Sequence, residues 1–162
     1  MVDLKFLSKN LVLIIERIVD NQNICKYLKY NDISPLTKPD IKLPATDLVL
    51  SKVHPYPFEQ VATTDDAVEL RVYYPNISLD GSKAVSGVEV YFDIICAKSL
   101  WLIKDNKEKQ IRPYQIALEI IEEFNDSVGT IGKLNFRNLF HLVIGRQFDA
   151  LRIEAKMTLF GG

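Results

Sequence analysis

Leu4, Leu7, Leu11, Ile14, Ile15 and Ile18 recur every three or four positions near the start of the chain. This spacing predicts an amphipathic helix with one apolar stripe. Asp3 is placed to cap it, and Asn21 and Asn23 punctuate its end. A shorter helical piece follows, with Ile24, Tyr27 and Leu28 on one side. Pro35, Pro39, Pro44, Pro55 and Pro57 then punctuate residues 31–60, which read as an ordered connection with little regular structure. Residues 48–50 are its one candidate strand.

From Asp66 the period changes to two. Val68, Leu70, Val72 and Tyr74 alternate with Ala67, Glu69, Arg71 and Tyr73, as in a strand with one buried face. Residues 75–87 read as a loop centred on Asp80-Gly81. Residues 86–103, SGVEVYFDIICAKSLWLI, then run back as its hairpin partner. Even positions 88–96 are all apolar and match the even face of the preceding strand. One register that keeps those faces sets Arg71 against Glu89 and Val72 against Val88. A membrane span is excluded for this passage, because Glu89, Asp93 and Lys98 interrupt it at short intervals.

Residues 104–110 predict a polar turn. Pro113 opens a second helix whose stripe is Ile116, Ala117, Ile120, Ile121 and Phe124, with Gly129 shortly beyond its end. Two strands close the chain. One places Leu134, Phe136, Phe140, Leu142 and Ile144 on a single face, with Asn138 breaking the run. The other alternates Leu151, Ile153, Ala155, Met157 and Leu159 with polar residues. Helices and hairpins in this order predict an α+β domain: a mostly antiparallel sheet, with an N-terminal helix and a second helix packed on one side. Residues 1–162 form a single domain on this reading.

Composition narrows the function. The net charge is −1, so charge makes no case for a nucleic-acid or membrane surface. The N-terminal pattern carries Asp3, Lys5, Lys9, Glu16 and Arg17 and does not read as a signal peptide. Cys25 and Cys96 stand apart and read as two buried thiols of a reducing compartment. His54 and His141 lack ligand spacing, so no metal or cofactor is expected. No nucleophile elbow, phosphate loop or dinucleotide fingerprint occurs. Glu89 and Asp93 lie roughly 13 Å apart along a strand, too far for paired-carboxylate chemistry. The expectation is a protein that is not an enzyme.

The second helix carries its charges against its dipole. Arg112 precedes the first turn, and Glu122, Glu123 and Asp126 crowd the last. Chance is one explanation. The other is a partner: in a ring of identical subunits, Arg112 of one copy would meet the acidic end of the next. Trp101 is a further candidate contact, either under the second helix or against a neighbour. The Asp80-Gly81 tip and the turn at 104–110 are candidate docking loops.

The strand VEVYFDIICAKSLWLI, the helix RPYQIALEIIEEFND, the short IGKLNF and the closing DALRIEAKMTLF together resemble the tail terminator, or tail completion, proteins of long-tailed bacteriophages. They span Asp65 to the C-terminus. The resemblance implies a structural virion protein of the tail–neck junction, assembled in the host cytoplasm. It implies a hexameric ring that caps the tail tube, stops its growth and offers the docking surface for the head connector or neck protein. DNA would pass through the ring without sequence-specific binding. A head-completion or connector protein of the same region is the alternative, and a small enzyme with an unrecognised site a more distant one.

Overall fold

The computed structural model describes residues 3–60, 65–81, 85–125 and 133–158. Helix α1 (Leu4–Val19) starts where Asp3 Oδ1 accepts the Phe6 N–H at 3.0 Å. Its buried stripe is Leu7, Ile14, Ile15 and Ile18. Asn21 does more than punctuate: its side chain caps α2 (Gln22–Lys29) by accepting the Ile24 N–H. The proline-rich connection holds more structure than expected. Pro44 opens the short helix α3 (Pro44–Leu48), so in place of a strand at residues 48–50 Leu48 ends a helix, Val49 makes an isolated bridge to Val53 and Leu50 lies in a turn. The strand comes later, as β1 (Val53–His54).

The main sheet runs β1-β2-β4-β8-β7. It contains β2 (Val68–Tyr73), β4 (Val85–Ala97), β7 (Lys133–Val143) and β8 (Phe148–Thr158). The added β3 (Ile77–Leu79) lies beside the start of β4. Among the described strands of this sheet, β1 and β2 pair in parallel and the other pairs are antiparallel. The α+β class therefore holds, with helices on one face of a mostly antiparallel sheet. Val68, Leu70, Val72, Val90, Phe92, Ile94, Leu151 and Ile153 point at those helices and are buried. Helix α4 (Arg112–Asn125) crosses β4, β7 and β8 and brings Ile116, Ile120 and Phe124 to the same core.

Three details differ from the sequence reading. Arg71 faces Asp93, not Glu89, and Val72 faces Phe92. The faces are kept, but β3, hidden in the expected loop, takes the start of β4 and pushes β2 along it. The passage 86–103 is also not one strand. β4 stops at Ala97, a 3-10 turn follows at Lys98–Leu100, and a separate ribbon begins, β5 (Leu102–Asp105) with β6 (Glu108–Ile111). Its two-residue turn, Asn106-Lys107, has φ of 47° and 67°, the left-handed pair a tight hairpin needs. Finally, β7 carries a bulge between Phe136 and Asn138. Beyond it the faces swap. Leu139 and His141 lie over Ile153 and Leu151 on the helix side, whereas Phe140 and Leu142 turn to the other face.

Candidate docking surface

Arg112 is fully buried. Its guanidinium donates to the carbonyls of Leu100 (2.9 Å), Tyr27 (2.8 Å), Tyr30 (3.0 Å) and Asp32 (2.7 Å). Two of these close the C-terminal end of α2, where a cation is favoured. The expected contact of Arg112 with a neighbouring subunit is thereby corrected: the chain itself uses all of this charge. The acidic end of α4 is partly answered in the same way. Arg17, from the last turn of α1, meets Glu123 Oε1 at 3.3 Å and donates to the Glu123 carbonyl at 3.0 Å. Glu122 is exposed. Asp126 and Gly129 lie outside the described residues.

Trp101 is half-buried against the main core, and its ring stacks on His141 with centroids 5.6 Å apart. It therefore packs on its own chain. Asp80 and Gly81 are exposed just beyond β3, with Gly81 at φ +88°, a conformation suited to glycine. The structure brings Arg112 and Trp101 together, through an N–H to carbonyl bond of 2.8 Å. Glu122 and Glu123 sit nearly a helix length away, about 15 Å along α4, and Asp80 and Gly81 lie on a different element. These residues do not form one site.

The sheet face turned away from the helices holds what the sequence reading missed. Asp93, only 3% exposed, lies at its centre. Arg152 grips it with Nε on Oδ1 at 2.8 Å and Nη2 on Oδ2 at 3.0 Å, and the Tyr73 hydroxyl donates to Oδ2 at 2.6 Å. The Asp93 carboxylate holds the Arg152 pKa above its ordinary value. The guanidinium lies 4.4 Å from the Tyr91 ring centroid. Two steps along, Arg71 pairs with Glu69 and sits between the rings of Tyr56 and Phe58. Burial first, and Arg71 second, push the His54 pKa down. The signal for the central pair was the charge midway along two strands that are otherwise strongly patterned, Asp93 and Arg152.

Grooves flank this pair. One, of about 210 Å3, is walled by Phe58, Ile95, Leu142 and Ile144 over Asp93 and Arg152. The other, of about 290 Å3, is polar, with Glu89, Tyr91, Arg137, Asn138, Glu154 and Lys156. Arg152 already neutralises Asp93, so the arrangement suits recognition of another surface more than proton transfer. Among the described residues, no three His, Cys, Asp or Glu side chains are placed to hold a metal ion. No helix among them is long and apolar enough to cross a membrane.

Fold and surface thus define an α+β domain with one helix-covered and one open sheet face. The chain belongs to the YomW family, whose model matches residues 21–157. That family name is a phage-associated one, and it reaches no further towards a role in the tail. No curated protein and no solved structure matches the chain.

Proposed function

We propose that this protein is a tail terminator: a structural virion protein that caps the tail tube as a hexameric ring at the tail–neck junction. The open face of the sheet is the observation that carries the reading. An aromatic and ion-paired centre, an apolar groove and a polar groove lie side by side there, with no helix among the described residues over them. Such a mixture is what a protein-binding surface offers. Membership of a phage-associated family supports the same setting. The ring stops tube growth, receives the head connector and lets DNA pass through its lumen without reading its sequence. Subunit contacts in the ring run head to tail.

The test is a phage lacking this gene, with the purified protein added back to its tails. The expected result is tubes of uncontrolled length, and a six-fold cap on tube ends once the protein is supplied. Tubes of ordinary length, with the protein binding the isolated portal instead, would replace this reading with that of a head-completion protein.

A further inference from the structure

Edge strands of soluble proteins are usually defended by charges, prolines, bulges or shortness. β7 is the last strand of the sheet and spans 11 residues. Its defences all lie in its first half: Lys133, Arg137 and the bulge. The second half, residues 138–143, reads NLFHLV and contains no Lys, Arg, Asp, Glu or Pro. Leu139 is 42% exposed, Phe140 45% and Val143 85%. These residues lie on both faces of the sheet, so a cover lying over one face alone would leave the other wet. Among the described residues, no strand pairs with this edge.

We propose that this edge is the pairing site of a second copy of the chain, added antiparallel about a two-fold axis through His141. The strand is complementary to itself in that arrangement. With His141 opposite the partner's His141, Leu139 meets the partner's Val143 on the helix side. Phe140 meets the partner's Leu142 on the open side. Antiparallel pairing also keeps the basic first halves apart, since Arg137 and Lys133 run past opposite ends of the paired segment. A parallel pairing would set Arg137 beside Arg137 and Lys133 beside Lys133, which is unfavourable. The pairing is independent of the tail reading: it describes the chain before it meets a tube, and its failure would leave that reading standing.

Cysteine placement tests the axis. Directly opposed strand residues have Cα atoms about 4.5–5.5 Å apart, within disulfide reach. Residues 139 of the two copies would be about 13 Å apart, beyond it. Cys25 and Cys96 are buried and do not compete. The expected result is a dimer by light scattering for the native chain. Mild oxidation should convert H141C to a covalent dimer and leave L139C and V143C monomeric under denaturing conditions. Val143→Lys, at a position 85% exposed, should abolish the dimer and leave a folded monomer by circular dichroism. A native chain that stays monomeric up to its solubility limit would overturn the proposal. So would L139C linking as readily as H141C, or a Val143→Lys protein that remains dimeric.

Discussion

Arg112 sits at the N-terminal end of a helix, where the dipole disfavours a cation, and is nonetheless completely buried. The four carbonyls it satisfies come from residues 27, 30, 32 and 100. Without it, these acceptors lose their donor inside the protein. Leaving buried acceptors without their donor costs about 1–3 kcal/mol. Arg112→Met should lose about that much in a denaturant titration. Arg112→Lys should recover only part, because an ammonium cannot reproduce the planar fork. A loss below about 1 kcal/mol for the methionine variant would show the network to be incidental. Acid groups elsewhere set the alkaline limit. Burial pushes the Cys25 thiol up to about 11 and the Cys96 thiol to about 12, and it raises Tyr27, Tyr73 and Tyr74 as well. A raised acid stays neutral longer in the folded chain than in the unfolded one. Its contribution is therefore complete below the ordinary thiol value of 9.0 and is lost as pH climbs towards the native values. Unfolding free energy measured at pH 8, 9.5 and 10.5 should fall steadily over this series, and native thiols should react with a thiol reagent only as fast as the protein unfolds. A flat profile, or prompt labelling at pH 8, would contradict it.

At the scale of elements, periodicity was legible wherever one face met the core. Leu7, Ile14, Ile15 and Ile18 of α1, the even faces of β2 and β4, and Leu151, Ile153, Ala155 and Met157 of β8 stand where their spacing put them, whereas Leu4 is exposed and Leu159 lies outside the described residues. What escaped was the interruption of a period. Arg137 adds a residue to β7, and a single extra residue sends all that follow to the opposite face. A run of Leu, Phe, His, Leu and Val is apolar in either phase, so the pattern itself held no trace of the swap. The ribbon around the predicted turn escaped because Asn106-Lys107 lacks the glycine that commonly marks such hairpins. The bulge can be tested directly. Deleting Arg137 should set Phe136 and Asn138 on consecutive partners, keep Leu139 and His141 on the helix side and leave the melting temperature close to that of the native chain, because Arg137 is the one residue of this stretch without a partner on β8. A loss of many degrees would mean that β7 needs the bulge to fit against β8.

At the scale of the whole molecule, the fold class could be read from the order of helices and hairpins, while the candidate surface mostly could not. Charges at the two ends of α4 looked available for a neighbour, yet Arg112 and Glu123 are engaged by the chain itself. The open face depends on Asp93 and Arg152, 59 residues apart and adjacent only once β4 and β8 pair. A pairing of that range is a property of topology, and no local spacing announces it.

The Arg112 network also bears on when the fold can close. Its acceptors on α2 stand 85 and 82 residues before the guanidinium that holds them. During synthesis, α2 must therefore wait with its C-terminal carbonyls unsatisfied until β5, β6 and the first turn of α4 have emerged. Contacts of such sequence separation slow folding and expose intermediates. The N-terminal helices are thus locked well after they are made, although they are the first part of the core to leave the ribosome.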